Sequence, residues 1–481
     1  MMITLAEIAH RAMIEKGFIP DFPKRVLDEL TAIHAPSKPQ NEVRDLRHLL
    51  WVSIDNDDSF DLDQLTYAEK LRSGMSKIYV AVADVDGIVK KGSAVDNQAE
   101  HNTTSVYTPG KVFPMLPLKL SNDLTSLNEN TDRCANVVEL DISKDGDFEL
   151  ADVYPALVRN HGKLTYNGVG TCLETQICLL HPIPSIPGLR KQLEIQDEIA
   201  QRIENFRNRQ GALHFAEIEL QPIVINGVAV GLEERISNRA HKLIENYMIA
   251  ANVGVTRYLN KKNYPTLRRV VKTPKRWGRI VELAKDLGDE LPSKPDVKAL
   301  RAFLLKQERA SPLQFPDLSL AIIKLIGRGE YVLGHPKEKH LGHFDLAELE
   351  YAHTTAPNRR FPDVVMQRIV KSSFQGKPSP YTDNELAEIA AHCTQKEDDA
   401  TKVERRMVKC AAAMVLLKQI GHVFKAMVTG AGAKGTWVRL LDPPIEGKLV
   451  RGFENADVGD YLKVKLVHVD VVNGHIDFNR M

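Results

Sequence analysis

The sequence has few cysteines and no long apolar run. Its five cysteines are scattered along 481 residues, with no Cys-x-x-Cys pair among Cys134, Cys172, Cys178, Cys393 and Cys410. Such a set indicates a reducing compartment, here the cytoplasm, and argues against a thiolate zinc site. No apolar stretch approaches the roughly 18 to 20 residues that a transmembrane helix requires. The sequence therefore predicts a cytoplasmic protein without a membrane segment.

The composition that remains is typical of a globular chain, with 43% hydrophobic and 26% charged residues. A chain of 481 residues usually forms more than one hydrophobic core, so we expect two or three domains. Near the start, Glu7 and Glu15 lie within an amphipathic pattern, which is typical of a helix and not of a signal peptide. We predict a short, mostly helical segment over residues 1–48, a mixed body over 49–420 and a small all-β module over 421–481.

Local patterns predict the elements of these parts. HLLWVSID and KIYVAVADV read as strands, the second so apolar that both of its faces should be buried. Residues 191–210, 239–258 and about 385–420 have helical periodicity, and EIELQPIVINGVAVGLEE predicts a hairpin with an Asn-Gly turn. From about Phe424, short strands between Gly, Pro and Asp turns predict a five-stranded barrel. The fold class is thus an α+β (mixed α/β) body followed by a small OB-fold barrel.

The net charge of +1 conceals one basic stretch, residues 257–279, which has nine Lys or Arg and no acid. A stretch of this kind can bind phosphates. A solvated helix face explains it equally well.

The first strand ends in an unusual concentration of acid. Five aspartates occupy nine residues, namely Asp55, Asp57, Asp58, Asp61 and Asp63. Holding so many carboxylates together is costly unless a cation is bound, and hard oxygen ligands suit Mg²⁺. Two such ions about 4 Å apart could orient a water and stabilise the leaving oxygen of a phosphodiester. A solvated loop or a calcium turn is the alternative, although an EF-hand loop needs Gly where Phe60 stands.

Three separated segments resemble one nuclease family. SIDNDDSFDLDQL resembles the D-x5-D-x-D-D signature of the ribonuclease II and ribonuclease R (RNB) family, and YAHTTAPNRRFPD is similar to its Y-x-H-x-T-S-P-I-R-R-Y-x-D motif. The tail is similar to the S1 RNA-binding barrel, and RQGALHF and AHKLIENYMIAAN occur in family order. The resemblance covers about residues 50–481. It implies hydrolysis of single-stranded RNA from its 3′ end to nucleoside 5′-monophosphates, with Mg²⁺ or alternatively Mn²⁺, and two ions during catalysis.

The resemblance also implies the catalytic residues. Asp55, Asp61 and Asp63 match the first three signature aspartates, which hold the metal, and Asp63 is the one most closely tied to the chemical step. Arg359 matches the arginine that contacts the scissile phosphate, a task that suits the guanidinium fork. Arg360, beside it, is expected to be a substrate contact.

Further substrate contacts follow from the same resemblance. Tyr107 and Phe215 match two aromatics that clamp the stacked 3′-terminal bases, a sequence-tolerant interaction. Glu245 matches a carboxylate near the terminal ribose, where it would favour RNA over DNA. Without this context, either ring would more often be a core residue, and Glu245 would be an exposed helical acid. Glu404 aligns too loosely to be assigned a role.

The sequence departs from the family pattern in two ways. Gln64 replaces the fourth aspartate, which should weaken one metal position and raise the Mg²⁺ requirement. Residues 1–48 are too few for the two cold-shock barrels that usually precede the catalytic domain, so we expect weaker anchoring of long RNA.

We expect a monomer that binds single-stranded RNA and no DNA. Gln64 favours one alternative, a catalytically weak RNA-binding protein; an endonuclease or small-nucleotide phosphodiesterase is a third, against which the clamp aromatics argue.

Overall fold

A computed structural model of the chain describes residues 3–39, 43–72, 74–178, 183–216, 219–312, 314–336, 338, 342–432, 435–457 and 459–481. The helices in this part of the chain are α1 Leu5–Glu15, α2 Lys24–Ala32, α3 Ala94–Asn102, α4 Tyr166–Thr175, α5 Leu189–Gln210, α6 Arg239–Lys261, α7 Trp277–Asp286, α8 Val297–Ala310, α9 Phe315–Ile326, α10 Phe361–Phe374 and α11 Asp383–Leu416. No described helix combines the length and the apolar character that a membrane crossing needs.

The strands are β1 Arg44–Asp45, β2 Trp51–Asp55, β3 Gln64–Lys70, β4 Ser76–Ala83, β5 Val106–Thr108, β6 Lys111–Phe113, β7 Asp132–Ile142, β8 Phe148–Thr165, β9 Glu219–Ile225, β10 Val228–Arg235, β11 Thr266–Val270, β12 Glu330–Gly334, β13 Val423–Gly432, β14 Gly435–Leu440, β15 Glu446–Arg451, β16 Tyr461–Asp470 and β17 His475–Arg480. The three helices and the hairpin that the sequence predicts are therefore confirmed as α5, α6, α11 and β9–β10.

The central sheet has the order β1-β8-β2-β3-β4-β7, and β7 pairs again with β8. The long strand β8 makes this possible. Its first part pairs antiparallel with β7 and its last part pairs parallel with β2, where Thr165 is the register partner of Asp55. The pairing thus runs in a ring, and the end of β2 that carries the acidic loop lies beside the end of β8.

Each face of the sheet is buried in a different hydrophobic cluster. On one face Trp51, Leu65 and Ala81 pack together, and on the other Ile54 and Val80 pack with helices such as α5 and α6. Alternate residues of a strand point to opposite faces, so a strand between two cores must be apolar throughout. This explains the nearly continuous apolar run of β4 and confirms its predicted burial on both faces.

The first helices and the hairpin pack around α11. The apolar residues of α1 share a cluster with Val403 and Met407 of α11. The hairpin turn at Asn226 and Gly227, both with positive φ, lies against the start of α1, where the Leu5 N–H donates to the Gly227 carbonyl at 3.0 Å. The strand β1 precedes the domain boundary predicted at residue 48 and pairs with β8 in the central sheet.

The tail forms a closed barrel in the order β13-β14-β15-β17-β16, which confirms the predicted five strands. Its interior contains Val428, Val438 and Phe478, and the same cluster includes Ala413 and Leu416 at the end of α11. The long helix therefore connects the body to the barrel and packs against both.

Two features of the structure were not predicted from the sequence. Cys172 and Cys178, at the end of α4, form a disulfide with Cα atoms 4.4 Å apart, a pairing that the sequence analysis did not predict. The cytoplasmic location stays a prediction. In the basic stretch 257–279, several cations are paired within the protein: Arg257 with Glu350, Arg269 with Glu397, Lys272 with Glu330 and Arg279 with Glu282. Four of the nine basic residues of the stretch thus have acidic partners within the protein, and phosphate binding by the stretch stays a prediction.

Candidate active site

The structure separates the five aspartates by burial. Asp63 is 2% exposed, Asp55 and Asp61 are half-buried, and Asp57 and Asp58 are exposed. The difference arises because the loop leaves the sheet after β2 and returns to it before β3, where the Asp63 carbonyl accepts the Ala83 N–H at 2.9 Å. The two ends of the loop, and not its tip, hold the three aspartates that the sequence analysis assigns to the metal.

Asp63 is a buried carboxylate with one satisfied and one unsatisfied oxygen. Its Oδ1 accepts the Asn358 backbone N–H at 2.8 Å. Its Oδ2 has no hydrogen-bond donor and lies 3.5 Å from Nε of Arg359. Burial raises the pKa of Asp63 well above the ordinary value, the Arg359 charge opposes this rise, and the nearby Asp61 carboxylate adds to it. A negative charge on Asp63 is therefore energetically costly without a further compensating cation, a property typical of functional carboxylates.

Asp61 lies in the same electrostatic environment. Burial raises its pKa, Asp55 raises it further, and Arg359 lowers it. Asp55 itself accepts the Ser59 hydroxyl at 3.0 Å through Oδ1. The structure therefore brings Asp55, Asp61, Asp63 and Arg359 into one electrostatic cluster, although 296 positions of the sequence separate Asp63 from Arg359.

The arginine is presented by a loop that precedes α10. Asp363, fully buried in the first turn of α10, accepts the Ala356 N–H at 2.7 Å and fixes the start of this loop. The Arg359 carbonyl accepts the Ser105 N–H at 3.0 Å, so the loop is also held from the side. The Arg359 side chain is 44% exposed, and within the described residues its guanidinium makes no hydrogen bond. A rigid backbone thus presents an open guanidinium fork beside Asp63.

Tyr107 lies on the same side of the site. It follows the segment that holds the Arg359 carbonyl, its ring is 43% exposed, and its hydroxyl donates to Asp61 Oδ2 at 3.2 Å. Its backbone N–H donates to Glu404 Oε1 at 2.9 Å. Glu404, which sequence alignment left unassigned, is therefore part of the support of this ring.

The other predicted substrate contacts have different surroundings. Phe215 is half-buried against the hydrophobic cluster of α7, α8 and α9. Glu245, on α6, is 44% exposed and pairs with Lys242 at 2.9 Å and with Arg207 at 3.9 Å. Arg360 Nη2 donates to the buried Asp363 at 2.8 Å. None of the described hydrogen bonds or ion pairs joins these three side chains to the acidic cluster, so their substrate roles stay predictions.

Sequence reasoning missed two residues that border the site, Asn358 and Tyr166. Asn358 holds Asp63, and its own Oδ1 accepts the Thr125 hydroxyl at 2.5 Å. Tyr166 directly follows Thr165, the partner of Asp55, and stacks on His241 with ring centroids 4.0 Å apart. Burial and the Asp55 charge raise the pKa of its hydroxyl. No local signal in the sequence indicates the contact with Asp63, because its donor is the backbone N–H of Asn358, which other residue types would also provide.

The residues present fit a divalent cation. The buried, donor-free Oδ2 of Asp63 and the raised pKa of both Asp61 and Asp63 are what carboxylates show when their compensating charge is missing. Within the described ranges, no group of three or more His, Cys, Asp and Glu is already arranged for metal coordination. The fit therefore rests on oxygen chemistry and charge.

Comparison with known families agrees with this geometry. Residues 43–376 match the RNB domain, and residues 422–481 match the C-terminal S1 domain of ribonuclease II-type exonucleases. The first match alone covers more than half of the chain. The chain therefore belongs to the RNB domain family, and its barrel is an S1 domain of the type found in that family.

Curated relatives carry the name ribonuclease R. The chain is 32% identical over 423 residues to ribonuclease R of Escherichia coli, covering 84% of the chain and 50% of the relative. It is 27% identical over 495 residues to ribonuclease R 1 of Lactococcus lactis, covering 96% and 59%. It is 29% identical over 503 residues to ribonuclease R of Thermotoga maritima, an alignment that covers 97% of this chain and 69% of that relative. The chain thus spans about half to two thirds of the length of these relatives.

Solved structures share the fold. Mycoplasma genitalium RNase R in complex with ribose methylated single-stranded RNA superposes with a TM-score of 0.88 at 22% identity, covering 99% of this chain and 78% of that one. Yeast Ssd1, described as a pseudonuclease, superposes with a TM-score of 0.73 at 16% identity. The superposition covers 96% of this chain and 57% of Ssd1. At these identities the likeness establishes the fold and not the activity.

Proposed function

We propose that this chain is a hydrolytic 3′-to-5′ exoribonuclease that degrades single-stranded RNA to nucleoside 5′-monophosphates. One observation carries the proposal: the buried, unsatisfied carboxylate oxygen of Asp63 lies 3.5 Å from the guanidinium of Arg359, which makes no hydrogen bond to any described residue. A carboxylate that needs a cation, beside an open guanidinium, is suited to a phosphodiester. Membership of the RNB family and the names of the curated relatives support this reading.

Each residue has a role in this proposal. Arg359 binds two oxygens of the scissile phosphate and stabilises the negative charge that develops on them. The Asn358 N–H keeps the Asp63 carboxylate in one orientation. Tyr107 offers its exposed ring to a terminal base, while its hydroxyl stays on Asp61. Mg²⁺ or Mn²⁺, held by Asp55, Asp61 and Asp63, would supply the charge that activates the attacking water.

The decisive experiment uses 5′-labelled RNA. We expect a ladder that shortens from the 3′ end on a single-stranded oligonucleotide with Mg²⁺ and ends at a product of a few nucleotides. A 3′-tailed duplex assayed beside it tests the range of substrates, because solved relatives include an RNase R complex with double-stranded RNA. Full-length RNA that is retained in a gel shift but never shortened, with either Mg²⁺ or Mn²⁺, would instead support a catalytically weak RNA-binding protein.

Gln64 gives a second test of the metal. It is the first residue of β3, half-buried, and follows Asp63 directly. We expect Gln64→Asp to lower the Mg²⁺ concentration for half-maximal activity about tenfold, equivalent to roughly 1.4 kcal/mol, because it adds a negative oxygen ligand. Gln64→Asn is the matched control, with the same size as aspartate and no charge. An equal Mg²⁺ requirement in both variants would show that position 64 does not face the metal.

A further inference from the structure

Phe60 is an exposed aromatic residue next to the site. It directly precedes Asp61 in the loop between β2 and β3, and 60% of its surface is exposed. A single exposed apolar side chain is common on protein surfaces and carries no meaning alone. This one directly precedes a proposed metal ligand, and its contacts distinguish it from an isolated surface residue.

The backbone at Phe60 is fixed, although its ring is open. The Phe60 carbonyl accepts the Ser126 hydroxyl at 2.8 Å, and the Leu62 N–H donates to the same Ser126 oxygen at 3.0 Å. At the start of the loop, the Ser59 hydroxyl donates to Asp55. The ring is therefore presented at a defined place, which reduces the conformational entropy lost when a ligand stacks on it.

A lysine lies over this ring. Nζ of Lys163, on β8, is 4.5 Å from the centroid of Phe60. Lys163 precedes by two residues Thr165, the register partner of Asp55, which places it about 7 Å along the strand from the acidic end of β2. No carboxylate in the described ranges pairs with its ammonium. The backbone N–H of Lys163 donates to Glu129 Oε1 at 3.1 Å and fixes the strand at this point, while the ammonium over the ring is left available to a phosphate.

We propose that Phe60 and Lys163 form an additional nucleotide-binding subsite beside the acidic cluster. A base of the RNA stacks on the ring face turned away from Lys163, and the phosphate of that nucleotide lies near the Lys163 ammonium. Proteins that bind single strands without sequence preference generally combine an aromatic ring for the base with a cation for the phosphate. This inference rests on the proposed function, because it assumes that single-stranded RNA reaches the acidic loop.

Binding of a 5′-fluorescein oligoadenylate, followed by anisotropy in EDTA so that no turnover occurs, tests the subsite. We expect Phe60→Ala to raise the Kd by about 5- to 150-fold, which corresponds to the roughly 1–3 kcal/mol of one stacked base. Phe60→Trp should keep the wild-type Kd, since indole also stacks. Lys163→Gln should reduce the slope of log Kd against log salt by about 0.7, the value for one phosphate contact on a single strand.

A matched control lies on α5, where an arginine–phenylalanine pair is found far from the acidic loop in sequence. Arg209 lies over the ring of Phe206 at 5.9 Å and donates to the Asp145 carbonyl in the turn before β8. Phe206→Ala should leave RNA binding unchanged. Equal Kd values for wild type and Phe60→Ala, or an equal loss in Phe60→Ala and Phe60→Trp, would overturn the subsite. Failure of the proposed function has a different signature, namely no shortening of RNA by the wild-type chain, whatever the Phe60 variants do to binding.

Discussion

Asp63→Asn is expected to reduce the single-turnover rate of RNA shortening by about 10³-fold or more, while the Kd for RNA changes by less than about twofold. Asparagine keeps the size of the side chain and an oxygen that can accept the Asn358 N–H, so the loop and the Arg359 backbone stay in place. It removes the charge from the buried Oδ2, where a cation would be held. The loss should therefore fall on the transition state and not on ground-state binding.

Two measurements would reveal an error in this assignment. Asp57→Asn, at the exposed tip of the same loop, should retain nearly wild-type rates, because that carboxylate is solvated and bonds only Asn167 among the described hydrogen bonds. If Asp63→Asn weakens RNA binding as strongly as it slows shortening, Asp63 supports the structure of the site instead of its chemistry.

The same variant should change the pH dependence of stability. The folded pKa of Asp63 is raised by burial, so the metal-free protein is stabilised below the ordinary carboxyl pKa of about 3.9 and loses that contribution as the pH rises through the folded pKa. Asp63→Asn removes this titration. In EDTA, its free energy of unfolding should therefore exceed that of the wild type at neutral pH, and the difference should diminish towards pH 4. Urea unfolding across this range measures it.

What could be predicted from the sequence was determined by local patterns. The helices α5, α6 and α11 follow from the spacing of their apolar residues, and the barrel follows from short strands between turn residues. The acidic loop was recognisable because five carboxylates in nine residues have few structural explanations. In each case the residues that allow the prediction lie close together in the sequence.

What could not be predicted depends on contacts between distant residues. The hydrogen bond from Asn358 to Asp63 joins residues 295 positions apart, and no local pattern indicates that this asparagine belongs to the site. The pairing within the basic stretch 257–279 could not be predicted for the same reason, since the partners of Arg257 and Arg269 are Glu350 and Glu397 on remote segments. Charge counted along a sequence does not reveal which charges folding neutralises.

Arg359 and its neighbour Arg360 should differ sharply when each is replaced. Arg359→Ala is expected to slow single-turnover shortening by about 10²- to 10³-fold, the usual cost of removing one donor group that stabilises developing charge. The structure supports this because the guanidinium is 44% exposed and its closest described charge partner is the unsatisfied Oδ2 of Asp63. Arg359→Lys should recover part of the rate, since it restores the charge without the fork.

Arg360 provides the contrast, because its guanidinium donates to the fully buried Asp363. Asp363 in turn accepts the Ala356 N–H at the start of the loop that carries Arg359 and Arg360. Arg360→Ala leaves that carboxylate unpaired, and we expect it to lower the free energy of unfolding by about 3 kcal/mol or more. Arg359→Ala should lower the free energy of unfolding less, because Arg359 faces Asp63 at 3.5 Å without a hydrogen bond and its side chain is 44% exposed. Urea unfolding and single-turnover rates on both variants separate the roles. A large rate loss in Arg360→Ala with wild-type stability would instead make Arg360 the phosphate ligand, as its position in the family motif allows.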